Sequence, residues 1–286
     1  MSTSTQVAAS HLASEVEFDR QIIDARRRKR RRESILVAVL SAAFLLTFLG
    51  TWQFVHATGL IKPLFVSDPR SVFFAFWALI QLEATWIGIR ATFFAAICGL
   101  AAGSLLGIGC GILLARIPVL RRALHPYLTM FNAFPRPAFA PIFILWFGLG
   151  AMPKITVAVS IVFFVLLFNT MAGIRSVDAD MAFLARSLGM SKWQQFWMVE
   201  FPHAAPTIVA GLRLGAVYAV LGVVVSEIVA ANEGLGQLLV QYTNQFAMAQ
   251  SFAVLGLMAA SAIVLDLCIS LVQRRLSWAP EHGADA

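Results

Sequence analysis

Charge is scarce in this sequence: 13% of its 286 residues are Asp, Glu, Lys or Arg, where a soluble domain carries roughly a quarter. Together with 59% hydrophobic residues and 23 Phe, the deficit excludes a surface that mostly faces water. Cysteine is sparse too. Cys98, Cys110 and Cys268 fall in apolar runs without metal-like spacing, so they read as small buried hydrophobes and imply no disulfide framework. The five histidines (His11, His56, His125, His203 and His282) are scattered, which argues against a metal site, and no nucleophile–base constellation is visible. A phosphate loop of the GxxxxGKS/T kind is missing as well. A membrane-embedded enzyme is therefore the weakest reading.

What the chain does have is long apolar sequence. Runs near 35–55, 91–115, 138–149 with its flanks, 154–174, 206–230 and 250–272 approach the length of about 20 residues that a span needs. They predict six transmembrane helices, the third broken by prolines. The net charge of +7 is unevenly placed: eight of the 22 basic residues lie in the first 32 positions, seven of them as RRRKRRR at 26–32. Such a run directly before a hydrophobic segment holds that end in the cytoplasm. Arg116, Arg121 and Arg122, then Arg175, Arg186 and Lys192, then Arg274 and Arg275 fall in the inside loops of a strict alternation, whereas 231–250 holds no basic residue. Both termini are expected inside. Anionic lipid headgroups, and not nucleic acid, are the expected partner of the positive charge. The VHA at 55–57 imitates a signal-peptide cleavage site, but an apolar stretch of about 20 residues exceeds an h-region of about 7–15. An uncleaved first helix is expected.

The expected division is a basic tail 1–33, a first transmembrane helix 34–56, an outside interfacial segment 57–84, a core 85–275 and a tail 276–286. Within the interfacial segment, DPRSVFFAFWALIQL (68–82) opens with a helix-start signal and suits a helix lying along the membrane surface. Gly99, Gly103, Gly107 and Gly111 recur every four residues on one helix face, a spacing that lets spans approach closely. Pro135, Pro137 and Pro141 remove backbone donors at membrane depth. Irregular backbone there is buried in protein or lines a wet cavity; an interfacial re-entrant turn is the other reading, and both stay open.

ARSLGMSKWQQFWMVEFPHAAP (185–206) interrupts two oily stretches with mixed charge, tryptophan and proline. Residues 176–189 read as a short helix capped by Asp178 or Asp180, with Gly189 left-handed after its end. SKWQ (191–194) forms a capping box and starts a second short helix, which carries Trp193, Phe196 and Trp197 and is closed by Pro202. Met181, Phe183, Leu184 and Leu188 spread around the first helix, which therefore wants protein about it. The second suits a docking element or a headgroup anchor equally.

These residues resemble the inner-membrane permease subunits of binding-protein-dependent ABC importers (type I), nearest the nitrate/sulfonate/taurine/bicarbonate group. The cytoplasmic loop of that family carries Glu-Ala-Ala, three residues, Gly, nine residues, then Ile-x-Leu-Pro. Gly189 and VEFP (199–202) match its second part; in the first part only Ala185 matches, and Phe183 stands where the family has glutamate. ILWFGLG (144–150), FNTMAGIRSVD (168–178), GLRLG (211–215) and SEIVAANEGLGQLL (226–239) look like further family stretches, so the resemblance covers roughly 85–275. It implies an all-α membrane protein in the bacterial inner membrane, with six transmembrane helices and both termini cytoplasmic. It implies a second permease copy as partner, two separate ABC ATPase subunits that bind ATP and Mg, and a periplasmic substrate-binding protein. No cofactor in this chain is implied, and the solute would be a small anion such as a sulfonate, nitrate or taurine. The loop 175–203 would couple to the ATPase through Phe183, Leu184, Ala185, Arg186, Gly189, Met190 and Pro202.

Charge within a span costs on the order of a few kcal/mol and usually faces the bundle interior. Counted from Pro206 at 1.5 Å per residue, Arg213 lies about 10 Å in from the cytoplasmic edge, and Asp266 precedes Gln273 by the same rise. A structural ion pair between them is expected. Glu227, near the outer end of its helix, either gates the outward opening or snorkels to water. Asn132, Arg136, Asn169 and Glu227 are the candidates for the translocation path. Two other classes remain. A secondary transporter would place coupling-ion sites in paired broken helices, and only one broken helix is visible. A membrane anchor for a soluble complex would need neither the prolines nor the intramembrane charges.

Overall fold

The computed structural model describes residue 29 and residues 32–62 and 65–275, with side chains described as far as 271. Apart from Lys29, Arg32 and Glu33, the basic tail lies outside the described residues, as does the 276–286 tail. The chain divides into two compact units, residues 1–69 and 70–286. In the first, α1 (Arg32–Ala57) runs for 26 residues. The Trp52 indole Nε1 donates to the Ser67 carbonyl at 2.8 Å and His56 Nδ1 lies 3.0 Å from the Val66 carbonyl. These contacts fold the following segment back on the last turns of the helix.

The helices that follow are α2 (Pro69–Ile80), α3 (Glu83–Arg116), α4 (Pro118–Ala133), α5 (Ala140–Phe147), α6 (Ala151–Arg175), α7 (Ala179–Ser187), α8 (Lys192–Gln195), α9 (Phe201–Val229), α10 (Leu235–Asn244) and α11 (Met248–Arg275). A 3₁₀ turn, Arg136–Phe139, joins α4 to α5, and a π turn, Phe196–Glu200, joins α8 to α9. Five helical runs are long and apolar enough to cross a membrane, and α4 with α5, bent by 78°, makes a sixth.

The third span differs from the expectation. Residues 118–133, which include the expected inside-loop residues Arg121 and Arg122, are helical, and 138–149 is only the second limb of a broken element. The break has a local cause. Phe134 precedes a proline and adopts an extended ψ of 137°, because the Pro135 ring disfavours the helical region one residue earlier; Pro135 and Pro137 then offer no backbone donors. α3 also begins earlier than the expected 91, and its 34 residues extend about 51 Å, well beyond the roughly 30 Å hydrocarbon layer. Pro202 does not close the second short helix. It sits at the start of α9 after a turn widened to accept the Phe201 amide on the Phe196 carbonyl, so Lys192–Val229 forms one run of 38 residues.

α6 is the centre of the second unit, packed along α3 on one side and α9 on the other. The glycine face of α3 sets the first contact. A Cβ at Gly103 would stand 2.8 Å from Val162 Cβ, and one at Gly111 would stand 2.7 Å from Thr170 Cβ. Neither distance is tolerable, so only bare backbone allows this approach, as in other span pairs held by packing alone. Against α9 the glycines lie on the opposite partner, with Gly211 against Asn169 and Gly222 against Ile161 and Ala158. Val157, Ala158, Val162, Leu166 and Leu167 are consequently completely buried.

Candidate functional site

The polar break of the sequence becomes a sharply built pair of helices. Asp178 caps α7 by accepting from the Asp180 amide at 3.2 Å. At the other end Gly189 takes φ +74°, the Met190 amide donates to the Ala185 carbonyl at 3.1 Å and the Gly189 amide to the Arg186 carbonyl at 3.0 Å. This 6→1 and 5→2 pair is a Schellman closure, which satisfies carbonyls at the helix end and favours glycine at the left-handed position. Ala185 is 3% exposed at its base. The next helix starts at once: Gln194 N donates to Ser191 Oγ and Ser191 N to Gln194 Oε1, the reciprocal capping box. The bend therefore leaves little freedom between the two helices.

Around that rigid corner the surface is apolar. Phe183, Leu184, Leu188 and Met181 are all more than half exposed, as are Trp193 and Met198. Trp193, Phe196, Trp197 and Phe201 pack in a cluster of edge-on and tilted rings. Arg186 donates within its own helix to the Ala182 carbonyl. Arg116, at the end of α3, ties the corner to the bundle. Its Nη2 donates to the Lys192 carbonyl at 2.7 Å, its guanidinium lies 4.5 Å above the Phe196 ring, and Glu200 is 3.8 Å away. Sequence reasoning had Arg116 only as a topology marker. Nothing local distinguishes it from any arginine after a span.

The opposite ends of the same helices carry a second cluster. Glu227 is 1% exposed, and its carboxylate accepts from Thr92 Oγ1 at 3.0 Å, Lys154 Nζ at 3.1 Å and the Gly236 amide at 2.9 Å. Lys154 also donates to the Glu233 carbonyl, and Thr92 accepts from the Leu235 amide. Four elements thus meet on one carboxylate: α3, α6, α9 and the start of α10. A Cβ at Gly234 would overlap that carboxylate, so the close approach requires glycine. Snorkelling of Glu227 to water is excluded by this enclosure. Lys154 was not among the candidates that the sequence offered. Depth matching would have found it, because α6 begins and α9 ends at the same end of the bundle.

Arg213 Nε donates to Asp266 Oδ1 at 2.9 Å and Nη2 to Oδ2 at 3.1 Å, a two-pronged pair between α9 and α11. The pair is not buried within the single chain as expected: the side chains are 45% and 29% exposed. Arg136 Nη2 donates to Asn132 Oδ1 at 2.7 Å, and the guanidinium lies 4.4 Å over Phe164 of α6. Asn169 donates to the Val165 carbonyl and packs on Gly211. Among the described residues no hydrogen bond joins Asn132 and Arg136 to Asn169 or Glu227, so the four candidates do not form one site.

A bundle of apolar spans with a rigid amphipathic corner at one end defines a membrane transport subunit. The chain belongs to the family of binding-protein-dependent transport system inner membrane components, which it matches over residues 103–278. It is 32% identical over 250 residues to the taurine transport system permease protein TauC of Escherichia coli K12, covering 85% of this chain and 90% of that protein. It is 33% identical to the riboflavin transport system permease protein RibX of Chloroflexus aurantiacus, over 81% of this chain and 87% of that one. It is 31% identical to the putative aliphatic sulfonates transport permease protein SsuC of Bacillus subtilis, over 80% and 83%. The fold is similar to that of a chain of the MetNI methionine ABC transporter in an inward-facing conformation, with TM-score 0.59 and 18% identity over 68% of this chain and 99% of that one. The protein is thus an inner-membrane permease subunit of an ABC importer, and its helices are those of a type I importer membrane domain.

Proposed function

We propose that this chain forms half of the translocation pathway for a small anionic solute, with both termini in the cytoplasm and α7 seated in a groove of a separate ABC ATPase that binds ATP and Mg. Two ATPase subunits, a second copy of this chain and a periplasmic binding protein complete the importer in this reading. The observation that carries it is the corner itself. Exposed Phe183, Leu184 and Leu188 lie on a helix whose two ends are fixed by the Asp178 cap and the Schellman closure. A surface anchor would gain nothing from such rigidity, whereas a lever must not bend. Phe183, in place of an acid, makes the expected contact apolar.

The anionic solute is supported by the taurine and sulfonate relatives and by Arg136, the cation beside the α4–α5 break. Glu227 has no access to a solute and holds the outer end together instead. Co-purification of an ATPase subunit with the tagged chain, and uptake that depends on ATP, test the reading together. A chain that purifies without an ATPase and supports ion-driven uptake would instead be a secondary transporter.

A further inference from the structure

We propose that the cleft behind the α7–α8 corner is a binding site for a phosphate oxyanion, held at the inner face of the membrane. The cleft has a volume of about 400 Å³ and is lined by Arg116, Ile174, Arg175, Lys192, Gln195 and Glu200. Three of these are cations and one is an acid, so the lining carries a net charge of +2. Arg116 is already engaged with the Lys192 carbonyl, Phe196 and Glu200, and Gln195 donates to Glu200 at 3.1 Å. That leaves the acid satisfied. The Arg175 guanidinium and the Lys192 ammonium, by contrast, have no hydrogen-bond or ion-pair partner among the described residues.

Two unpartnered cations thus face one cleft across the junction of α6 and α8, while the neighbouring carboxylate is held by other groups. The space would hold on the order of ten waters, enough for a phosphate group with part of its hydration. Its position adds a second argument. The cleft lies where α3 and α6 end and where the exposed Trp193 and Trp197 rings begin, the composition of a headgroup layer. Basic pockets between spans on that side hold anionic headgroups. A phosphodiester of an anionic phospholipid and free inorganic phosphate share the required chemistry. Either would bridge Arg175 of α6 to Lys192 of the corner and stiffen the joint that the proposed coupling uses. The site rests on that reading for its consequence, but its occupancy is measured independently.

The full chain, purified in detergent and supplied with phosphatidylglycerol and phosphatidylcholine in equal amounts, is examined for retained lipid by native mass spectrometry. Phosphatidylglycerol should be retained in preference. R175Q/K192Q should weaken that retention on the order of 25-fold, at about fivefold per cation lost. E200Q should strengthen it, and R121Q/R122Q, on α4 outside the cleft, should change it less than R175Q/K192Q does. Inorganic phosphate titrated against lipid-free protein distinguishes the source: saturable binding with the same dependence on the variants makes the free anion the ligand. Equal retention of the two lipids without phosphate binding overturns the proposal, and so does retention indifferent to R175Q/K192Q. Because the readout is binding in detergent, its failure leaves the importer reading intact.

Discussion

Replacing Glu227 with Gln tests the buried cluster most directly. The substitution keeps the volume and removes the charge, so Lys154, whose side chain is 6% exposed, keeps only the Glu233 carbonyl as a strong partner. An enclosed ammonium without its carboxylate costs on the order of 3–5 kcal/mol. For a chain of this size about 2–4 °C of melting temperature accompanies each kcal/mol, so E227Q should melt roughly 6–20 °C below the parent. K154M should do the same by stranding the carboxylate. The double variant E227Q/K154M removes both charges and fills the lysine's path with an apolar chain of similar length. It should melt above either single variant, since a buried pair replaced as a unit is often neutral. Detergent-solubilised protein is heated in steps and the surviving monodisperse fraction is read by gel filtration. Single variants within about 2 °C of the parent, or a double variant whose loss equals the sum of the two, would refute the coupling of these charges.

Gly189→Val places a β-branched residue at φ +74°, a region such residues avoid; the protein should insert normally while ATPase co-purification and substrate-stimulated hydrolysis fall sharply. Asp266→Ala and Arg213→Ala should each lower the yield of folded protein, and exchanging the two residues should recover part of it; singles that fold normally but lose uptake would place the charges in the translocation path. A single cysteine at 190 should resist membrane-impermeant maleimide in sealed cells, and cysteines at the exposed positions 232, 244 and 245 should react, so external labelling at 190 would invert the topology.

The short helices, Gly189 and the capping box were legible because each rests on local chemistry: a side chain that accepts from a neighbouring amide, or a backbone position that tolerates only glycine. The Arg213–Asp266 contact was legible from helix rise. Its exposure was not, because depth along an axis says nothing about which face a residue occupies. The glycine stripe announced close packing without naming α6 as the partner. Glu227 shows the same limit from the other side. Its charge and place near a helix end were plain, but its partners come from Thr92, Lys154 and Gly236, far apart in sequence, and burial there follows from tertiary packing. The broken third span was half legible: prolines mark a break, yet whether the preceding residues form a loop or another helical limb depends on what they pack against.

The two charged clusters bear on how force would cross the molecule. α8, the π turn and α9 form one run of 38 residues, fastened to α3 by Arg116 at one end and by Glu227 at the other. Some 24 residues of α3 separate Thr92 from Arg116, about 36 Å of helix, and glycine contacts lock α3, α6 and α9 along that length. Beyond the π turn and Pro206, which lie at the corner end of α9, no proline or π turn interrupts the packed lengths of the trio. A displacement of α7 would therefore be carried as rigid-body movement of three helices, with backbone change gathered where the chain leaves them. Gly148 and Gly150, at φ +76° and +151°, and Gly234, at φ +129°, occupy those exits. Spin labels at 97 and 228, near one end of the trio, should keep their separation when nucleotide and binding protein are added to the assembled importer, as should labels at 113 and 214. Labels on α5 and α6 flanking Gly148 should change theirs. A changed separation within the trio, against an unchanged α5–α6 joint, would show that the glycine-packed helices slide on one another.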